Sequence, residues 1–355
     1  MNKKLLALFL VLAVMLLAPA CKKKAAGQMN SEAMLAMVPE APAALVGFNL
    51  QQLTSLEFFD KMLKEGVQKQ AGAGKAFKDY ADFKQQTGID LQKDVFAAVV
   101  AVYGNFDSEN PELAVIVNMK YDAAKLLAVL KDKQVIAAEE SYRDLTLYTL
   151  KDDGEGKAQD MRLAFLNKAN IALGSPVSVK KVVDLERKQG QSVLKTAALM
   201  KHVEPLNKKG LFWMVIGSIP GKMKESAGGG MMPVDLSKAE AFTLFADFRS
   251  QTLSGELRMV SRDEAGNKQI ADMLNGLKAL GAMGAAKEPE LGQLLNGIQL
   301  TSAADHVKLT FSLSEELMNK LGAKAKDKAQ SMAVPAPAEP TEEPFADLPQ
   351  ESTTE

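Results

Sequence analysis

The chain has very few of the residues from which catalytic and metal sites are usually assembled. Among its 355 residues are one cysteine, Cys21, and two histidines, His202 and His306, far apart in sequence. A single cysteine excludes an internal disulfide framework, so the core must hold by packing alone. With no H-E-x-x-H pair and no second cysteine, the common zinc patterns are absent. There is no G-x-S-x-G, and neither histidine has a serine and an acid in an informative pattern around it. No catalytic residue, metal ligand or cofactor is therefore expected. Excess charge is lacking too. The net charge is −1, and the six acids of the last 25 residues are offset by lysines near the N-terminus, leaving 25–330 neutral. A neutral body lacks the concentrated basic surface that nucleic-acid binding requires.

Two near-motifs fail on inspection. Around Gly74-Lys75 the run AGAGKAF approaches a phosphate loop, but Lys69 stands where glycine is needed and Ala76 where serine or threonine is needed. Asp152-Asp153-Gly154-Glu155 lacks the alternating oxygen ligands of a calcium loop and reads as a polar hairpin connection. The acidic pairs Glu139-Glu140 and Glu315-Glu316 read as solvated edges. Most of the 18 methionines read as gap-fillers of a core without disulfides; Met231 and Met232, beside Gly228-Gly229-Gly230, read as exposed on a mobile loop.

What is present begins at the N-terminus. Lys3 and Lys4 precede an unbroken apolar run of fourteen residues over 5–18, followed by Ala18-Pro19-Ala20 and then Cys21. The run falls short of the roughly 20 residues of a spanning helix and fits the apolar region of an export signal. Small residues running directly into the sole cysteine resemble the lipobox of bacterial lipoproteins. The family usually has Leu three places before the cysteine, where this chain has Ala18 with Leu17 one place earlier. The resemblance covers residues 1–21. It implies cleavage between Ala20 and Cys21, diacylglyceryl attachment to the Cys21 thiol, and an acylated, palmitate-type membrane anchor at the new N-terminus. Lys22 in place of the aspartate used for inner-membrane retention further implies sorting to the outer membrane, facing the periplasm. Ala-Pro-Ala also suits ordinary signal cleavage, which would leave a secreted chain. Lys22, Lys23 and Lys24 would reinforce an anchor at anionic headgroups by about 1 kcal/mol each.

Residues 25–43, rich in alanine with Pro39 and Pro42, read as a tether with a short helical stretch over 31–38 that lets the body stand off the membrane. The body then divides, in this reading, into 44–202 and 203–330. The first part has a strand over 44–50, helices over 52–70 and 75–87, and two continuously apolar runs, 95–103 and 113–117, of the kind buried on both faces. Turn residues fill 104–111. A helix over 121–131, strands near 134–138, 145–150, 161–166 and 171–173, a helix opened by Ser175 and Pro176, and a helix over 192–202 follow. The second part has a strand over 211–219, the glycine loop, and a hairpin of 242–248 with 253–260 whose wet face carries Glu256 and Arg258. It continues with the longest helix, 264–284, with Ile270, Met273, Leu274, Leu277 and Leu280 inward. A helix over 291–295, strands over 298–302 and 307–313, and a helix capped by Ser314 complete it. Residues 331–355, with five prolines and six acids, read as a disordered tail.

The fold class expected is α+β, with antiparallel or mixed sheets and packed helices, the two parts following a similar order of elements as degenerate copies of one unit. The function expected is that of a non-enzymatic envelope lipoprotein that binds or scaffolds a partner, with the bilayer engaged through acylated Cys21. The alternative is a carrier or sensor of an apolar, lipid-like ligand, which requires an enclosed apolar cavity.

Overall fold

Apolar runs that cannot face water on either side dictate a sheet covered on both faces, and the chain builds one. The computed structural model describes residues 28–53, 80–104, 108, 111–151, 160–217, 238–285 and 288–331. Among these, twelve strands join in a single antiparallel sheet. They are β1 (Ala44–Phe48), β2 (Val95–Tyr103), β3 (Glu112–Met119), β4 (Ile136–Tyr142), β5 (Leu145–Leu150), β6 (Met161–Phe165), β7 (Asn170–Gly174), β8 (Phe212–Ile216), β9 (Ala239–Arg249), β10 (Thr252–Ser261), β11 (Ile298–Ala303) and β12 (His306–Ser314). Their order across the sheet is β11-β12-β10-β9-β8-β1-β2-β3-β7-β6-β5-β4. The helices are α1 (Leu50–Leu53), α2 (Tyr80–Thr87), α3 (Leu91–Asp94), α4 (Ala123–Asp132), α5 (Pro176–Glu186), α6 (Ala197–Val203), α7 (Glu264–Gly284), α8 (Pro289–Asn296) and α9 (Glu315–Ser331). The α+β class expected from sequence is thus the class observed.

The order of strands contains one path traced twice. In the first, β1-β2-β3 form a meander, α4 leads away, and the strands that follow return to place β7 beside β3 before α5. In the second, β8-β9-β10 form the meander, α7 and α8 lead away, and β12 returns beside β10 before α9. The paths meet where β1 pairs with β8. The sheet is continuous through that junction, and the expected boundary after residue 202 falls inside α6.

Both faces of the central strands are buried. Every residue of β2 is buried, as its unbroken apolar sequence anticipates. One face packs Leu45, Val99, Ile116, Trp213 and Val215 under α5 and α6. The other packs Val46, Val100, Val115 and Val117 against Leu50, Leu53 and Leu126. A smaller cluster places Ala271 of α7 on Met259 and Val307. α5 begins at Ser175 and Pro176 as read, although the Ser175 hydroxyl bonds to Ser178 Oγ, 2.9 Å away, rather than capping the helix.

Two expectations need correction. Residues 28–43 are not a tether. Met34, Leu35 and Val38 are among the most deeply buried side chains in the protein, seated in the same cluster as Trp213. Polar groups lock the segment down. Trp213 Nε1 donates to Ser31 Oγ at 2.8 Å, and Ser31 N donates to Asn49 Oδ1 at 2.9 Å. Asn49 Nδ2 in turn donates to the Lys208 carbonyl at 2.8 Å. The second correction concerns α7, of which Leu277 and Leu280 are exposed rather than inward. A 21-residue helix is about 31 Å long, whereas its neighbour β11 has six residues and spans about 20 Å. The last turns of α7 therefore outrun the sheet.

Several readings lie outside the described residues: the signal and Cys21, most of the 52–70 helix, the Gly74 region, most of the 104–111 turn, the 152–155 loop, the glycine loop with Met231 and Met232, and the acidic tail after Ser331. Among the described residues, no helix is long and apolar enough to cross a membrane.

Candidate functional site: a charged cleft at the edge of the α6 cover

α6 shields the sheet over β8 and β9 but not beyond. Where it ends, the polar face of the β9-β10-β12 wing begins, uncovered among the described residues, and the step between them is a cleft. Its volume is about 310 Å³, and it opens to solvent along one side. Lys201, His202, Pro205 and Leu206 form its wall; Thr243, Glu256, Arg258 and Val260 form its floor. Glu240, Arg262, Asp305 and His306 form its rim.

Strand register explains this assembly. Thr243 lies opposite Arg258, and Val260 opposite His306, so residues of three strands share one face. Glu240 reaches the same place through an irregularity. Val260 pairs with Ala241 and Ser261 with Ala239, leaving Glu240 as an extra residue on β9. A bulge of this kind re-aims a side chain, and here it sends a carboxylate to the rim. The Glu256 and Arg258 read as a wet face are the floor of this cleft.

Charge in the cleft is arranged in pairs. Arg258 Nη2 lies 2.6 Å from Glu256 Oε1, and Arg262 Nε lies 3.0 Å from Glu240 Oε1. Lys201 Nζ approaches the other Glu240 oxygen at 3.6 Å. His306 Nδ1 donates to Asp305 Oδ1 at 2.6 Å, and this bond holds the Asp305 carboxyl below its usual range. Arg258 Nε is buried without a hydrogen-bond partner, so the charge that Arg258 offers the cleft is carried by the rest of its guanidinium.

His202 and His306, separated by over a hundred positions, line the same cleft. Nothing local announces this. His202 sits on the last turn of a seven-residue helix and His306 opens a strand on its polar phase. Burial, and then the Lys201 charge, lower the His202 pKa, while Glu240 opposes them. Because the folded value lies below the ordinary one, the unfolded chain takes the proton first. Stability from this group is complete above the ordinary histidine pKa and is lost as pH falls through that value toward the lowered one. Melting temperature should therefore fall further between about pH 7.5 and about pH 5 in the natural protein than in His202→Gln. Equal falls would assign the acid sensitivity elsewhere. Among the described residues no group of three or more His, Cys, Asp or Glu is placed to hold a metal ion.

Ala20 and Cys21, the two residues singled out in the sequence, lie outside the described residues. No protein-family model matches the chain, and no curated protein matches it. Solved structures give a distant likeness. Crystal form I of TP0453 is 10% identical, with a TM-score of 0.45, over 82% of this chain and 96% of that one. Crystal form III of TP0453 is 11% identical, with a TM-score of 0.48, over 82% of this chain and 97% of that one.

Proposed function

We propose that the chain is a lipid-anchored protein of a bacterial envelope, held in the outer membrane through acylated Cys21, that binds a partner without transforming it. The observation that carries the binding role is the cleft: cations and carboxylates alternate around an opening of about 310 Å³. Paired charges at an open rim exchange partners at little cost, which suits recognition of a segment carrying both signs of charge. The favoured partner is a charged segment of another envelope protein. The apolar-carrier alternative needs an enclosed apolar cavity, and this cleft is open and charged; a lipid tail placed in it would strip water from ions without replacing their contacts.

Two measurements test the two halves of the proposal. The intact mass of the N-terminal peptide from host membranes should show a diacylglyceryl adduct on Cys21. An unmodified Cys21 in the soluble fraction would replace the anchored protein by a secreted one. For the cleft, a photo-reactive amino acid placed at Arg262 in the host should give a discrete protein adduct. That adduct should be lost on Arg258→Glu and kept on Lys181→Glu. An adduct indifferent to Arg258 would remove the cleft from the binding role.

A further inference from the structure

Residues 28–43 belong to the body, which shortens the connection to Cys21 to residues 22–27. Fully extended, the chain from Cys21 to Gln28 reaches at most about 25 Å. The point of entry is defined. Gln28 bonds to Gln51, and Met29 N donates to Asn118 Oδ1 at 2.8 Å, at the last residues of β3. This is one end of the strands. At it also lie the start of β2, the β6–β7 turn, the segment before β8 and the β9–β10 turn.

These connections carry Lys93, Lys120, Lys168, Lys209 and Arg249, all exposed. The carboxylates among them are turned inward or engaged. Asp90 and Asp247, both nearly buried, lie 3.9 Å from Lys93 and 2.8 Å from Arg249. Asp94 accepts from Asp90 N at 2.8 Å, and Asp122 Oδ1 accepts from Lys125 N at 3.0 Å at the start of α4. Lys120, Lys168 and Lys209 make no ion pair among the described residues. Around the β3, β6–β7 and β9–β10 connections exposed cations therefore outnumber exposed carboxylates; farther along the same end lie the Arg143–Asp144 turn of β4–β5 and, after β12, Glu315 and Glu316, the latter 2.6 Å from Lys320. The charged rim of the cleft lies at the other end of the strands, where Val260 and His306 pair, about 27 Å away along the sheet.

We propose that this basic strand end is the face laid against anionic lipid headgroups, so that the cleft rim is held pointing away from the bilayer. The inference rests on the anchor at Cys21: the leash keeps the body within about 25 Å of the membrane, and the charge of this end selects the face that turns toward it. Cations at an anionic surface attract it within about a Debye length, and Lys22, Lys23 and Lys24 add to the same field.

The sole cysteine makes the test direct. The chain beginning at Cys21 is coupled through its thiol to a maleimide lipid in phosphatidylcholine–phosphatidylglycerol vesicles, and lysine acetylation rates are read by mass spectrometry. Lys120, Lys168 and Lys209 should slow about fivefold relative to the free protein, while Lys201 and Lys238 keep their rates. Pure phosphatidylcholine vesicles should give no such contrast. In Lys168→Glu/Lys209→Glu, two surface changes that leave the core intact, the protection of Lys120 should vanish. Protection of Lys201, uniform protection, or protection that survives the double substitution would overturn the proposal. Maleimide coupling supplies the anchor, so failure here counts against the face, whereas failure of the mass measurement counts against acylation.

Discussion

A chain beginning at Glu40 should fail to fold, whereas one beginning at Cys21 should unfold cooperatively. The shorter chain lacks Met34, Leu35 and Val38, each at most 2% exposed. Burial of such side chains contributes about 1.5–3 kcal/mol apiece, so the loss is roughly 5–9 kcal/mol. Net stabilities of folded domains are about 5–15 kcal/mol, and the deletion removes a comparable amount. It also leaves Trp213 Nε1 without its acceptor and Asn49 Oδ1 without its donors from Ser31, all in dry surroundings. Far-UV circular dichroism during heating reads the result. An unchanged melting temperature in the Glu40 chain would return this segment to the status of a linker.

Trp213→Ala should cost about 3–5 kcal/mol, the range for emptying a large aromatic site in a core. Trp213 is wholly buried and lies directly opposite Gly47, where β1 meets β8. A Cβ built on Gly47 would stand 2.1 Å from Trp213 Cε2, so the indole occupies the space a side chain would need. Gly47→Ala alone should cost about 1–3 kcal/mol or more through overpacking. The two changes should not add. With the indole gone, the new methyl enters vacated space, and the double variant should be more stable than the sum of single costs allows. Denaturant unfolding of the four proteins measures this coupling. Strict additivity would show that the backbone, not the indole, constrains position 47.

The same two positions show how far the sequence could be read. The strand over 44–50 was legible from its composition, and a glycine inside a strand signals a close approach. The identity of what approaches depends on β8, which no local pattern links to β1. β2 was legible because nine consecutive apolar residues leave no wet face, and β12 because its alternation is strict. The hairpin of β9 and β10 was legible, but not the bulge at Glu240, which only the register reveals. The tether reading of residues 25–43 fails from residue 28 onward for a physical reason. Their alanines and the neighbouring prolines give the composition of a linker, and a five-residue 3₁₀ turn is too short to display an amphipathic period. The cleft was not legible at all. Its residues come from a helix, three strands and three connections, and they carry chemistry only after the strands have set their phase.

The junction of β1 with β8 has a consequence for how the protein is made. β1 pairs on one side with β2, close behind it in the chain, and on the other with residues 212–216. A chain delivered from its N-terminus completes the β1-β2-β3 meander long before β8 exists. Throughout that interval β1, with the sequence ALVGF and no charge or proline to blunt it, is an open edge with unpaired backbone groups. Finished sheets protect such edges, and half-made ones recruit strands from other molecules. Closure of β1 by β8 carries a long loop-closing entropy and belongs late in assembly. A chain cut short before β8 should therefore aggregate more readily than the whole protein, at its middle and not at its ends.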